Sequence, residues 1–305
     1  MKKKNKIFVA GIPRSGTTLV QNLLDSHSKI YGGPEFDRIP NIVDLRNKLK
    51  SSLKQGRIEA YTNVHEIDDA IRCFIDTLLT PKDLNPAIKF ISEKTPWNIL
   101  FFEELIEIFP DAKFIMVLRN PLDVFNSMKK VANNAFSKGI KPPDFTTDYK
   151  IACAYMEEVF KLMKTLNKKH PNKVIIVRYE SFLIDLETEA KRLFDFLGLT
   201  WEEQVMNFYK LQHPGEKTMT QNDVWYTKNQ FKANPQEVTV KHKKNLLKFK
   251  EKLFIAYLFR QNKYVNPNYS FIKKPNIFEK LIARYLYVDY KNNYRFPKSP
   301  KRTLN

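Results

Sequence analysis

Cysteine is nearly absent from this chain. The two that occur, Cys73 and Cys153, each lie in an apolar-periodic run that reads as helix, with no second Cys or His at metal-ligand spacing. That excludes a disulfide framework. Long hydrophobic runs are missing too, since no window approaches the roughly 20 uninterrupted apolar residues that cross a bilayer. The basic residues 1–6 are followed by an apolar run, 7–10, that glycine and proline soon cut short. The expectation is no secretion signal and a soluble protein in a reducing, cytoplasmic compartment. Glycine is scarce, eight in 305 residues, so the stretches that gather it near the N-terminus, 11–16 and 32–33, mark unusual backbone.

What is present supports a globule, with 43% hydrophobic and 28% charged residues, a mixture unlike disordered or collagen-like sequence. The formal charge of +19 is unevenly spread. Residues 1–209 carry 31 Lys and Arg against 27 Asp and Glu, whereas residues 210–305 carry 21 against 6, a net +15. Such a region either keeps a solvated surface soluble or meets an anionic surface or polymer.

Strand-like and helix-like patterns alternate along the first two-thirds of the chain. Residues 7–10, 87–92, 113–118 and 173–179 read as strands, and 18–26, 97–109, 149–169 and 187–198 as helices, with Pro121 opening another helix. Strands joined by helical crossovers require a parallel sheet. The fold class is α/β, a P-loop-like central parallel sheet flanked by helices, with a helical, basic C-terminal elaboration. The division expected is an α/β domain over 1–265 and a basic, aromatic-containing tail over 266–305, whose tyrosines and Phe296 suit docking.

The segment Gly11-Ile12-Pro13-Arg14-Ser15-Gly16-Thr17-Thr18 follows a strand and opens a helix. Its G-x-x-x-x-G spacing is that of a phosphate loop, in which backbone N–H groups turn around an anion at a helix N-terminus. An ATP or GTP loop has lysine after the second glycine. Here Thr17 stands there, and the cation is Arg14, whose planar fork grips two anionic oxygens. A different anhydride is expected.

The segment FVAGIPRSGTTLVQNLLDSHSKI (8–30) resembles the 5′-phosphosulfate loop of sulfotransferases that use 3′-phosphoadenosine-5′-phosphosulfate (PAPS), in the variant of tyrosylprotein and related Golgi-type enzymes. FIMVLRNPLDVFNSM (114–128) resembles the family's 3′-phosphate motif, with Arg119 and Ser127. VRYESFLIDLETEAKRLFDFLGL (177–199) resembles the family's Arg-Tyr-Glu segment, and ISEKTPW (91–97) the segment with a catalytic-site lysine. The likeness spans about residues 7–205. It implies PAPS held by Arg14, Ser15, Gly16, Thr17, Thr18, Arg119, Ser127 and Tyr179, the last toward adenine, with Lys94 and Arg14 stabilising charge. Independently, a residue ending a parallel strand, as Arg119 does, faces the ligand side of such sheets.

Sulfuryl transfer must hold the donor, remove the acceptor's proton, stabilise charge and exclude water. It needs no metal. Histidine is the first candidate base by pKa, but His27 and His170 read as caps or exposed groups, and Pro96 stands where cytosolic-type relatives carry their histidine. Glu35, after Gly32-Gly33-Pro34, matches the place where tyrosylprotein sulfotransferases carry a catalytic glutamate. Those relatives have basic residues two and six positions later, where this chain has Asp37 and Asn41. The acceptor classes are therefore a glycan, a glycolipid precursor, a small metabolite or a peptidyl tyrosine. Lys228, Asn229 and Lys232 are charge-based candidates for a late loop closing over the nucleotide. The rival readings are an ATP-dependent P-loop-type kinase and a non-catalytic basic nucleic-acid-binding protein.

Overall fold

The computed structural model describes residues 4–214, 224–225, 245–260, 276–294 and 296. Five strands, β1 (Asn5–Gly11), β2 (Ile30–Gly32), β3 (Phe90–Lys94), β4 (Lys113–Leu118) and β5 (Val174–Arg178), form one sheet. Their order is β2-β3-β1-β4-β5, and every pairing is parallel. A parallel sheet must be covered on both faces, and the alternation of side chains divides the core accordingly. Ile7, Val9, Ile115, Val117, Ile175 and Val177 join one apolar cluster. Phe8, Ala10, Phe114, Met116 and Leu118 join the other. No residue from Ile7 to Ala10 is exposed to solvent, which is why that short apolar run becomes the central strand.

Helix α1 (Thr17–Asp25) leaves the loop after β1 and packs its Leu23 and Leu24 on the first cluster. Between β2 and β3 run α2 (Ile39–Lys54) and α3 (Val64–Leu79), the latter opened by a capping box of Asn63 and Glu66. A 3₁₀ segment, Pro96–Phe101, leads into α4 (Phe102–Ile108). The helix α5 (Pro121–Ser137) begins on Pro121, with the Asn120 side chain accepting from the Leu122 N–H. After the short α6 (Asp144–Thr147) comes α7 (Tyr149–Lys169), capped by Asp148. Then α8 (Tyr179–Ile184) follows β5 directly, and α9 (Leu186–Leu197) ends where Gly198 takes φ 67°.

The third strand starts later than the expected 87–92 and runs into Ser92-Glu93-Lys94, all buried. Polar residues inside a fully buried strand override the hydrophobic pattern because they serve the sheet's carboxyl end. The expected helix over 97–109 is instead 3₁₀ for its first turns. His27 is not an exposed or capping group: it is buried against Phe194, with Nε2 2.9 Å from the Thr200 carbonyl.

The basic C-terminal third contributes α10 (Phe249–Phe259) and α11 (Ile277–Asn293). Phe254, Ile255, Phe259 and Tyr290 join the cluster that holds α7. Lys129 of α5 pairs with Glu251 at 2.8 Å, and the Asn126 side chain accepts from the Leu246 N–H at 2.8 Å. Among the described residues no helix is long and apolar enough to cross a membrane.

Candidate active site

All five strands deliver a candidate residue at their carboxyl ends. β1 runs into the Gly11–Thr18 loop, β2 is followed by Glu35, β3 ends on Lys94, and Arg119 and Tyr179 come directly after β4 and β5. Loops at this edge of a parallel sheet form its ligand crevice.

The loop after β1 is shaped by backbone requirements that few residues meet. Gly16 adopts φ 106°, and a Cβ there would lie 2.3 Å from Cδ2 of Tyr179. A Cβ on Gly11 would lie 2.6 Å from the Val117 carbonyl oxygen. Arg14 takes φ 74°, and among the described residues it alone is a non-glycine with positive φ, a strain that proteins store at functional sites. The Arg14 carbonyl accepts from Arg119 at 2.9 Å, its Nε donates to Ser127 Oγ at 3.1 Å and its Nη1 donates to the Trp225 carbonyl at 3.1 Å. The guanidinium of Arg119 lies 4.2 Å from the centre of the Tyr179 ring, within cation–π range. Arg14, Arg119, Ser127 and Tyr179, far apart in sequence, thus meet around one loop.

Two cations share this small space, and burial followed by the charge of Arg119 lowers the Arg14 guanidinium to about 10. Two half-buried guanidinium groups in one space call for an anion. The Ser15 hydroxyl and the Arg119 Nε are buried with no hydrogen-bond partner, and a buried polar group left unpaired costs about 1–3 kcal/mol. Unpaired donors beside the N-terminus of α1 fit the phosphate groups of a nucleotide.

The second half of the site is built on β2 and β3. Lys94 is buried and pairs with the exposed Glu35, Nζ to Oε2 at 2.5 Å. The turn that carries Glu35 is held from several sides. Asp25 of α1 accepts from the Gly32 N–H at 2.6 Å and is itself 2.8 Å from His213 Nδ1. Gln21 donates to the carbonyls of Gly33 and Ser92 at 3.2 and 3.1 Å, and the Gly33 N–H donates to Ser92 at 3.1 Å.

Beneath the ion pair lies Glu93, a residue the sequence did not single out. Its Oε1 accepts from the Phe36 N–H at 3.2 Å and from the Thr95 hydroxyl at 2.6 Å, and its Oε2 is 2.5 Å from the Asn98 side-chain amide. Burial pushes the Glu93 carboxyl up to about 8, with the charge of Glu35 adding to the rise and the Thr95 and Phe36 donors opposing it. A separation of 2.5 Å is short for N–H···O and normal for O–H···O. Asn98 Oδ1 is meanwhile buried without a partner. With the amide turned over, Oδ1 accepts the proton of a neutral Glu93 and the side-chain NH2 takes the position that has no partner. No sequence motif marks such a role, because a carboxylate within a Ser-Glu-Lys-Thr run reads as surface.

Lys228, Asn229 and Lys232 lie outside the described residues. The family model for the sulfotransferase family matches residues 6–203, a span that takes in the sheet except for Asn5 at the start of β1. The chain belongs to this family. The family's protein-tyrosine sulfotransferase A of Caenorhabditis elegans is 28% identical over 67% of this chain and 53% of its own length. Protein-tyrosine sulfotransferase 1 of Danio rerio is 28% identical over 67% of this chain and 56% of its own. The chain thus spans about half the length of these relatives. Among solved structures, a sulfotransferase domain from the curacin biosynthetic pathway shares the fold with a TM-score of 0.51 at 16% identity, covering 84% of this chain and 98% of that one.

Proposed function

We propose that this chain is a PAPS-dependent sulfotransferase that passes a sulfonate group to an acceptor hydroxyl, with Glu35 as general base. One observation carries the reading: a strained phosphate loop with two guanidinium groups and unpaired buried donors stands at the same sheet edge as a lysine–glutamate pair. PAPS, when bound, supplies an activated sulfonate. Arg14, Ser15 and the N–H groups of Gly16, Thr17 and Thr18 would hold its 5′ end, and Arg119 and Ser127 its 3′-phosphate, with Tyr179 beside the base.

Glu35 takes the acceptor's proton, while Lys94 meets the charge that develops on the sulfonate and bridging oxygens. In the structure these two groups hold each other. Turnover requires them to part, each toward its own partner, which keeps both side chains aimed at one place beforehand. The relatives' names favour a tyrosine hydroxyl as acceptor, whereas Asp37 and Asn41, following Glu35, favour one that is not an acidic peptide. A glycan, glycolipid precursor or small-metabolite hydroxyl fits best. Both cysteines are free and Cys73 is exposed, which supports a reducing, cytoplasmic location.

Thermal-shift titration with 3′-phosphoadenosine-5′-phosphate (PAP), adenosine-5′-phosphosulfate and ATP tests the assignment. PAP should raise the melting temperature most, since only it offers both phosphate ends, and chelator should leave that shift unchanged. Stabilisation by Mg²⁺-ATP without response to PAP would refute it.

A further inference from the structure

Helix α11 has two apolar faces. One, with Leu286, Tyr287 and Tyr290 packed on the core and Ala283 buried, faces inward. The other consists of Ile277, Phe278, Leu281, Ile282, Tyr285 and Val288, which are between 40% and 78% exposed. At 3.6 residues per turn these six fall within an arc of about 140°, which toward the C-terminus also takes in Asn292 and Asp289, the latter paired with Lys150 of α7, so the strip is apolar over residues 277–288. Soluble proteins rarely leave such a strip in water without a use for it.

The border of the strip is charged on one side. Lys280, Arg284 and Lys291 fall within an arc of about 40° along that edge. Both Lys280 and Arg284 are exposed, while Lys291 also lies 3.7 Å from Glu157. Long cationic side chains lay their stems along an apolar surface and send their heads outward. The strip itself mixes aliphatic residues with Phe278 and Tyr285, the composition of helices that lie in the interface of a bilayer.

We propose that α11 docks on an anionic lipid surface, its exposed strip entering the headgroup boundary and its cationic border meeting the phosphates. Charge decides between this occupant and a second copy of the chain. Lys280 and Arg284 stand along one edge of the strip with no carboxylate between them, so two copies packed antiparallel on this face bring like charges together, whereas an anionic headgroup layer neutralises them. The helix lies on the membrane and does not span it. An acceptor held in or near a lipid leaflet would then be presented to the enzyme at close range.

The test is co-sedimentation of the full chain with vesicles of phosphatidylcholine alone and of phosphatidylcholine mixed with phosphatidylglycerol. Binding is expected to the mixed vesicles only, and to weaken as salt is raised. Leu281→Asp and Phe278→Asp should each lower partitioning at least about tenfold, and Lys280→Gln and Arg284→Gln about fivefold each. The variants' melting temperatures, which should match the parent's, exclude unfolding as the cause. Equal partitioning of Leu281→Asp and the parent would overturn the proposal. So would a concentration-dependent dimer, seen by sedimentation velocity without lipid, that Leu281→Asp abolishes. Neither readout uses nucleotide, so both stand whatever the donor proves to be.

Discussion

Glu93→Gln tests the electrostatic design beneath the ion pair. The carboxyl is 2% exposed, so solvent screens it little. The folded chain holds its proton up to about pH 8, whereas the ordinary value is 4.5. Because the folded value is the higher one, the group's contribution to stability is complete below the unfolded value and declines as pH rises toward the folded one. The slope is about 1.4 kcal/mol per pH unit, so between pH ~5 and ~8 wild type loses about 3 kcal/mol through this one group. Glutamine keeps an oxygen for the Phe36 N–H and the Thr95 hydroxyl and offers an N–H to Asn98 Oδ1, yet has nothing to ionise. The variant should therefore gain on wild type by about 3 kcal/mol over that range, roughly 5 °C in melting temperature. Urea unfolding of both proteins across a pH series measures the difference directly, since titration elsewhere cancels. Parallel curves, or a variant that falls behind as pH rises, would show that Glu93 is ionised at neutral pH and refute the reasoning.

Other substitutions probe the rest of the site. Glu35→Gln should leave the calorimetric affinity for PAP unchanged while slowing turnover about 10²–10⁴-fold; near-normal turnover would assign the base elsewhere. Arg14→Ala should weaken PAP binding by about 1.5–3 kcal/mol, read by calorimetry. Gly16→Ala places a methyl group against Tyr179 at a φ of 106°, so it should cost at least 1–3 kcal/mol of stability, the usual range for such backbone strain. Adding Tyr179→Ala should restore the part due to the clash and leave the part due to φ, as measured by thermal melting.

The half of the site proposed to hold phosphate is legible in the sequence because its requirements are local. An apolar strand, two glycines five residues apart and a helix pattern place Arg14 through Thr18 without any long-range information. The placement of Arg119 after a buried strand is legible for the same reason. The Glu35 side yields less. β2 has three residues, Ile30–Gly32, too few to show a period, and among the described residues it pairs only with β3. Glu35 itself was found through a resemblance, and its partnership with Lys94 depends on that edge pairing. Glu93, Gln21 and Asn98 are polar residues in a buried setting, so hydropathy points the wrong way for each. His27 was misread because nothing in the local sequence announces that Phe194 will pack on its ring. The second apolar face of α11 had no counterpart to reveal it, since an amphipathic pattern does not say which stripe meets the core.

Ser127 occupies α5 between Asn126 and Lys129, the two side chains that grasp the segment around Leu246 and Glu251, and the Arg14 side chain leans on the carbonyl of Trp225. A chain that has laid down all five strands still lacks these braces on α5 and on the Arg14 loop. The strained loop is therefore braced by residues far along the chain and not by the sheet alone.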